Sequence, residues 1–479
     1  MSHYRPTMAD AGFRGTTVEQ VVAEVASRKV GAREQVQRAL AAIERLDPTV
    51  HAFVAVDAER ALADADEIDR RIAAGEDVGP LAGVPLGVKD IEAAIGFTTS
   101  QGSALHAGDP PATQDSEHVA RLRAAGCVVV GKTNTPEFGW QADTSNEVFP
   151  STVNPWNPER SAGGSSGGSG AAIAAGMVPL ATGSDGGGSI RIPSAVHGLS
   201  GLKTSLGRVP GGGPTPPRWM HLSCKGPMAR TARDVALALD AVTGFEPTDL
   251  HTLPPHHGPS WRSQVEEALP PRQVVWSPTL GYGKVDAEVA AACRAGVDRL
   301  AAEGTDVVEI DAVFDEDPAF VWAAVAYSAI LRTVADRRGT PDWDRITPGL
   351  RTMFDLVAGQ SGVDLLQAVD AGHRLNLRMV EVLHQGAVLL CPTVAGQTGR
   401  AGEQGTVDGK ASTGWVSFTY PFNLTGSPAG SVCVGHTADG MPIGLQVVGP
   451  RFGDVVALRV LTLLEDLLDV DTVAPLDWA

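Results

Sequence analysis

Apolar residues recur every three to four positions between residues 17 and 47, the spacing that places them on one face of an α-helix. The apolar positions of this stretch are Val18, Val21, Val22, Val25, Val36, Leu40 and Ile43. Thr16 and Thr17 stand at the start of the pattern with Glu19 close behind, which is typical of a helix N-cap. We therefore predict an N-terminal helical layer over residues 17–80.

Beyond this layer, short apolar runs alternate with stretches of helical spacing. The runs include three valines at 128–130 and the segment 178–182, and the helical stretches include 116–125 and 170–176. Further helices are predicted over 348–384 and 455–468, with the apolar run AVLLCP between them. Because strands that alternate with helices pack between them, the sequence predicts an α/β fold with a mixed, mostly parallel central sheet covered by helices on both faces.

The composition restricts the class of protein and its partners. Hydrophobic residues make up 43% of the 479-residue chain and charged residues 20%, as in soluble globular proteins. The net charge of −18 argues against nucleic acid or a membrane as partner, since both are bound largely through Lys and Arg. No segment has the roughly 18 apolar residues of a transmembrane helix, and the N-terminus MSHYRPTMADAGFRGTT lacks the apolar stretch of a secretory signal. We therefore expect a cytoplasmic protein.

The cysteines and histidines do not form a metal-binding pattern. The five cysteines are widely spaced without a CxxC pair, which indicates reduced thiols and neither disulfides nor a zinc site. The chain has no HExxH motif, and its densest histidine group, His251, His256 and His257, lies among prolines, as a solvated loop would. We expect no metal and no cofactor.

Two clusters rich in glycine and serine contain the candidate chemistry: GGSSGG at 163–168 and DGGGS at 185–189. In the second cluster, consecutive glycines directly precede the hydroxyl of Ser189. Unhindered backbone N–H groups of this kind stabilise the oxyanion that forms when a hydroxyl attacks a carbonyl. We therefore predict Ser189 as the nucleophile of a hydrolase, with the amides of Gly186, Gly187, Gly188 and Ser189 itself as the oxyanion hole.

A serine hydroxyl is a poor nucleophile at neutral pH and needs a base within hydrogen-bond reach. Lys89 is the candidate, because it follows the apolar segment LAGVPLGV and precedes Ile91. Apolar surroundings disfavour the charged form of an amine and lower its pKa. The sequence thus predicts that Lys89 accepts a proton in the reaction.

Two other interpretations of the glycine clusters are open. Gly/Ser clusters often form flexible linkers, but here Ile173 and Ile190 follow the clusters closely, as in packed structure. Successive glycine amides also bind phosphate, although neither cluster has the GxxxxGK[ST] pattern of a P-loop.

Several segments together resemble the amidase signature family. They include PLAGVPLGVKD, NPWNPERSAGGSSGGSGAAIAAG, ATGSDGGGSIRIPSAVHGLSGLKTS, GPMARTARDVALALD, PFNLTGSPAGSVCVG and GMPIGLQVVGP, in the family's order. The match covers most of residues 70–240 and again about 415–450. The resemblance implies one domain over 1–479, with the helical layer at 17–80, a catalytic core at 81–240, a variable substrate-side region at 243–345 and the rest of the sheet and helices at 346–479.

The resemblance also implies a catalytic set. The matching positions are Lys89, Ser165 and Ser189, with a cis peptide bond between Gly164 and Ser165. Neutral Lys89 would take a proton from Ser165, which takes one from Ser189 as that hydroxyl attacks the substrate. Ser166 is expected to hydrogen-bond the lysine amine. Asp185 and Arg191 are expected to fix the loop by pairing with each other or with backbone.

Aromatic residues occur in the segments that line the substrate pockets of the family. They are Phe138, Trp140, Phe149, Trp219, Phe320, Trp322 and Trp343, and the apolar Met220 belongs to the same set. Phe138, Trp140, Trp219 and Trp322 are our candidates for substrate binding. The set favours small-molecule aryl or hydrophobic amides and carbamates as substrates. Separately, we expect a monomer or homodimer. Three alternatives are a general aliphatic amidase, the glutaminase subunit of a tRNA-dependent amidotransferase, and a catalytically silent binding protein.

Overall fold

The computed structural model of the chain describes residues 12–476 and Trp478. Residues 1–11, which belong to the N-terminal segment expected to lack a secretory signal, lie outside the described residues. The predicted N-cap is confirmed: the Thr17 hydroxyl accepts a hydrogen bond from the amide of Gln20 at 3.1 Å. The side chain of Gln20 accepts in return from the amide of Thr17 at 2.9 Å, so Gln20 and not Glu19 completes the capping box.

Three helices form the predicted N-terminal layer: α1 (Val18–Ala26), α2 (Ala32–Val50) and α3 (Ala58–Ala73). The later helices are α4 (Glu117–Ala124), α5 (Gly167–Ala174), α6 (Arg191–His197), α7 (Ala232–Val242), α8 (Trp261–Gln264), α9 (Ala287–Ala302), α10 (Ala319–Leu331), α11 (Pro341–Asp344), α12 (Pro348–Val357), α13 (Gly362–Leu383), α14 (Pro421–Leu424) and α15 (Asp454–Leu467). Short 3-10 turns lie at Glu137–Gly139, Met220–Leu222, Ala335–Arg337 and Thr413–Val416.

An 11-stranded sheet crosses the molecule. Its strands are β1 (Phe53–Val56), β2 (Pro85–Lys89), β3 (Val128–Thr133), β6 (Leu180–Asp185), β7 (Ser200–Lys203), β8 (Cys224–Ala229), β9 (Gln273–Trp276), β10 (Asp306–Glu309), β11 (Leu389–Pro392), β14 (Ala429–His436) and β15 (Pro442–Val448). Their order across the sheet is β1-β3-β2-β6-β8-β7-β14-β15-β11-β9-β10. Two small hairpins stand apart from it: β4 (Val153–Asn154) with β5 (Asn157–Ser161), and β12 (Thr406–Val407) with β13 (Lys410–Ala411).

The predicted α/β class and mixed sheet are confirmed, but the expected predominance of parallel pairs is wrong. Among the described strands, only the pairs β2–β3, β2–β6, β9–β10 and β9–β11 are parallel. The other six neighbouring pairs, from β1–β3 through β6–β8, β8–β7, β7–β14 and β14–β15 to β15–β11, are antiparallel. The alternation of strands and helices does not specify direction, because strands that follow each other in the sequence also pair antiparallel here, as β7 with β8 and β14 with β15 do.

Helices cover both faces of the sheet, as predicted. A Cβ at Gly430 would lie 2.3 Å from Leu461 of α15, and a Cβ at Gly201 would lie 2.2 Å from Ser194 of α6. Gly201 pairs with Ser431, the residue after Gly430, and successive residues of a strand point to opposite faces. Helices α6 and α15 therefore lie on opposite faces, and apolar residues from both layers form the core.

The cysteines are free and buried, in agreement with the prediction of reduced thiols. His251, His256 and His257 are exposed, as expected of a loop. Among the described residues, no helix is long and apolar enough to cross a membrane.

Candidate active site

Lys89 is the last residue of β2 and is completely buried, with its side chain directed into the two Gly/Ser clusters. Its Nζ donates hydrogen bonds to Ser165 Oγ at 2.8 Å, Ser166 Oγ at 2.8 Å and Ser184 Oγ at 3.0 Å. The predicted contact with Ser166 is therefore confirmed, and Ser184 is an additional partner. The amine has only neutral hydroxyls as hydrogen-bond partners within the described residues.

Burial lowers the pKa of Lys89 to about 7, while the negative charges of Glu92 and Asp185 act in the opposite direction. The desolvation effect is the largest because no carboxylate contacts the amine. A large fraction of Lys89 is therefore neutral near pH 7, and a neutral amine has a lone pair that accepts a proton.

The three hydroxyls around Lys89 are not equivalent. Ser166 Oγ donates to the carbonyl of Ser184 at 3.3 Å, so its oxygen is left to accept from the lysine. The proton of Ser165 is free to point toward a neutral Lys89, and the Gly164–Ser165 peptide bond is cis, as the resemblance implied. A Cβ at Gly139 would lie 3.1 Å from Ser165 Oγ, so glycine there leaves room around this hydroxyl.

Ser189 lies in the turn between β6 and α6 and is half-buried. Its carbonyl accepts a hydrogen bond from the amide of Ser166 at 3.2 Å, which joins the two clusters directly. The structure thus brings Lys89, Ser165, Ser166 and Ser189 into one site, although they are up to 100 residues apart in sequence.

The loop before Ser189 differs from prediction at one amide. The N–H of Gly188 donates to Asp185 Oδ1 at 2.7 Å, so it is already occupied by a carboxylate and we remove Gly188 from the predicted oxyanion set. Within the described part of the chain, the amides of Gly186, Gly187 and Ser189 donate to no protein acceptor. These three amides stay our candidates for the oxyanion hole.

Asp185 and Arg191 pair with each other, as predicted, and both are completely buried. Arg191 donates to both carboxylate oxygens, from Nε at 3.0 Å and from Nη2 at 2.8 Å. Burial alone would raise the pKa of Asp185, but Arg191 holds it well below its usual value. The charged pair fixes both ends of the loop that carries Ser189.

Three residues that the sequence analysis did not assign complete this support. Arg191 Nη1 donates to the carbonyl of Thr419 at 2.7 Å and to Gln446 Oε1 at 2.8 Å, and Nη2 donates to Asn423 Oδ1 at 2.7 Å. The Thr419 hydroxyl also donates to the carbonyl of Gly187 at 2.6 Å. Asn423 and Gln446 lie within PFNLTGSPAG and GMPIGLQVVGP, so the resemblance contained a signal for both.

Two of the predicted aromatic residues lie directly on the glycine run. A Cβ at Gly186 would meet Trp219 at 2.6 Å, and a Cβ at Gly187 would meet Trp322 at 2.6 Å. Trp322 is oriented by a hydrogen bond from Nε1 to the carbonyl of Gly186 at 2.8 Å and by stacking on Tyr420 at 5.6 Å. The glycines are needed here because the indole rings occupy the space of a side chain.

The other aromatic residues of the set lie in different surroundings. The ring of Phe138 is completely buried beneath the guanidinium of Arg218, 4.0 Å from its centroid, so it supports the site from within the core. Its carbonyl accepts from Trp219 Nε1 at 2.9 Å. Trp140 is half-buried against Gly349, whereas Phe320 is 90% exposed.

Comparisons with known proteins show the family of this chain. The model of the family described as Amidase matches residues 34–458. An acylamidase of Rhodococcus erythropolis is 33% identical, with 96% of each chain covered. A glutamyl-tRNA(Gln) amidotransferase subunit of Thermosynechococcus vestitus is 33% identical over 91% of this chain and 94% of that one.

The same fold occurs in a solved structure. A bacterial aryl acylamidase of the amidase signature enzymes superposes with a TM-score of 0.88 at 28% identity, covering 95% of this chain and 96% of that one. With a family match over most of its length, this chain belongs to the amidase signature family and is an amidase.

Proposed function

We propose that the protein hydrolyses aryl or hydrophobic amides and carbamates, urethanes included, through a relay of Ser189, Ser165 and Lys89. The single observation that carries the substrate class is the contact of Trp219 and Trp322 with the glycines that precede the nucleophile. The relatives described as an acylamidase and an aryl acylamidase also support this class.

The relay begins when Ser189 Oγ attacks the carbonyl carbon. Its proton passes to Ser165 Oγ, and the proton of Ser165 passes to neutral Lys89 Nζ, 2.8 Å away. The carbonyl π electrons move onto oxygen, and the amides of Gly186, Gly187 and Ser189 stabilise the oxyanion. Lys89 is then an ammonium in a buried site, surrounded by hydroxyls that accept its hydrogen bonds.

The collapse of this tetrahedral intermediate reverses the relay. Ser165 delivers its proton to the leaving nitrogen and regains one from Lys89, so the amine departs neutral. The acyl group stays on Ser189 as an ester, which a water molecule attacks with the same groups in the same order. A carbamate differs only by an alkoxy group on the acyl side, so the same steps apply.

The aromatic pair supports a ring-binding pocket beside the reacting carbonyl. Trp219 and Trp322 lie 6.1 Å apart between ring centroids, and Tyr327 packs edge-on against Trp322 at 5.7 Å. Burial of roughly 100 Å² of a substrate ring contributes about 2.5 kcal/mol, which corresponds to roughly 70-fold in binding before ordering costs. Acetamide has almost no such area.

The test compares kcat/KM for an anilide, an N-aryl carbamate, acetamide and glutamine. We expect the aryl substrates to exceed acetamide by about 50-fold or more, and Trp219→Ala to reduce this ratio. Trp343→Ala is the matched control, because Trp343 packs against Phe354 and Arg338, away from the glycine run. If acetamide or glutamine exceeds every aryl substrate, the proposed substrate class is wrong.

The amidotransferase relatives favour a second candidate, a glutaminase that acts within an amidotransferase complex. That function requires partner proteins and strict use of glutamine. Hydrolysis of an anilide by the purified chain alone, at a rate well above that with glutamine, excludes it as the main activity. A general aliphatic amidase would instead prefer short aliphatic amides in the same assay.

A further inference from the structure

Helix α13 exposes a row of apolar side chains on the face turned away from the core. Val363, Leu366, Leu377 and Val380 are exposed by 64%, 65%, 51% and 45%. The opposite face is the one that packs inward, through Ala371, Gly372, Met379 and Val382. The exposed apolar face is thus separate from the core face of the same helix.

The spacing of the row is regular. Residues 363, 366, 370, 373, 377 and 380 follow each other at intervals of three and four, so they form one stripe along the helix. The two central members are Asp370 and His373, and both are exposed. The stripe therefore has two apolar ends and an acid next to a base at its middle.

This stripe is self-complementary when it is reversed. A two-fold axis between Ala371 and Gly372 exchanges position 363 with 380, 366 with 377 and 370 with 373. In an antiparallel pair of α13 helices, Val363 then meets the partner's Val380, Leu366 meets the partner's Leu377, and Asp370 meets the partner's His373. Arg374, one position farther along, places a positive charge near the partner's Asp370.

We propose that the stripe on α13 is the interface of a homodimer, and that its occupant is α13 of a second copy of this chain. Isologous dimers require a surface in which residue i meets j and j meets i, and this stripe fulfils the condition at every position. A partner of another sequence would not need the reversal symmetry. The charge match at the centre fixes the antiparallel register, since a shift by one turn would place Asp370 against an apolar residue.

The first test is sedimentation velocity of the full chain over a range of micromolar concentrations at 0.15 M salt. We expect a concentration-dependent dimer, and Leu377→Asp should raise its dissociation constant at least tenfold. Phe245→Asp, at an exposed apolar residue after α7, is the matched control and should leave it unchanged. A wild-type chain that is monomeric at all concentrations overturns the proposal, as does a dimer that Leu377→Asp does not weaken.

The second test checks the register by disulfide cross-linking. Position 363 lies about 26 Å along the helix from its own copy in the antiparallel dimer, but beside the partner's position 380. A mixture of the Val363→Cys and Val380→Cys proteins should therefore cross-link, while each alone should not. The native cysteines are buried and give little background. Equal cross-linking of either variant alone contradicts the proposed register.

Discussion

Two buried lysines on neighbouring strands have opposite surroundings. Lys89 ends β2 and Lys132 lies in β3, where it pairs with Val88, and both side chains are completely buried. Lys132 Nζ lies 3.0 Å from Asp90 Oδ1 and donates to the carbonyl of Glu92 at 2.7 Å. Lys89 instead meets three hydroxyls and no carboxylate within the described residues.

The hydrogen-bond partners of a buried amine decide its role. Burial lowers the pKa of both lysines, but the carboxylate of Asp90 opposes this effect at Lys132 by direct contact. A charge-paired ammonium holds the structure together, whereas an amine held only by hydroxyls loses and gains a proton near neutral pH. We therefore assign the proton transfer to Lys89 and a structural role to Lys132.

The largest effect is expected at the start of the relay that Lys89 serves. Ser189→Ala should reduce turnover by about 10⁴-fold or more while the protein stays folded, since it removes the nucleophile. A fluorophosphonate should label Ser189. Ser194→Ala is the control, because among the described residues the Ser194 hydroxyl donates to the carbonyl of Ile190, just before α6, and to none of the groups of the relay. Residual activity within about tenfold of wild type, only about 1.4 kcal/mol in barrier, would sink the assignment.

Removal of the Lys89 amine should impair catalysis, unlike removal of the Lys132 amine. Lys89→Ala should reduce amide hydrolysis by about 10²–10⁴-fold, the usual contribution of a general base and acid. The loss on a matched ester should be smaller, because an alkoxide leaves more readily without protonation than an amine anion. Parallel kcat/KM measurements on the two substrates test this. Equal losses on amide and ester would refute the relay.

The structural lysine should show the opposite pattern. Lys132→Met leaves Asp90 buried without its partner and should lower the free energy of unfolding by about 3–5 kcal/mol. Its kcat/KM, measured at a temperature where the variant is folded, should stay within about fivefold of wild type, a change of no more than about 1 kcal/mol in barrier. Urea unfolding and kinetics on the same preparation test both statements. If Lys132→Met unfolds like wild type but loses turnover as Lys89→Ala does, the contrast between the two lysines is wrong.

The smallest effect is expected at Ser184, the third hydroxyl around Lys89. This hydroxyl accepts from the ammonium and so favours the charged form. Ser184→Ala should therefore lower the pKa of Lys89 further and move the rising limb of the pH–rate profile down by about one pH unit. Ser184→Thr keeps a hydroxyl and should behave as wild type. A shift toward higher pH would contradict this role.

Several features of the structure could be predicted from residues that are close together in the sequence. The cap at Thr17 depends on residues within one helical turn, so composition and spacing identify it. Burial of Lys89 follows from its apolar flanks, and the Asp185–Arg191 pair is only six residues apart. The grouping of Lys89 with Ser165 and Ser189 came from the resemblance, and their catalytic roles stay predictions.

Other features depend on contacts between distant parts of the chain. Arg191 reaches Thr419 and Gln446 across 228 and 255 positions, and no local pattern specifies such partners. Strand direction was wrong because the apolar pattern of a strand does not state its direction, and consecutive strands such as β14 and β15 form an antiparallel hairpin. Phe320 and Trp322 show a different failure, because they were grouped by residue type alone. Residues two positions apart on a helix such as α10 point to nearly opposite sides. Of these two, Trp322 reaches the glycine run and Phe320 is exposed.

The most direct test of the central claim is the pH dependence of kcat/KM for an anilide between pH 5 and pH 10. Because the neutral amine is the active form and burial lowers the pKa of Lys89 to about 7, activity should rise with pH through an apparent pKa near 7 and then level off. Lys89→Ala should abolish this rise. A flat profile, or an activity that is still low at pH 8 and still rising at pH 10, as for an ordinary lysine with a pKa of about 10.4, would contradict the account.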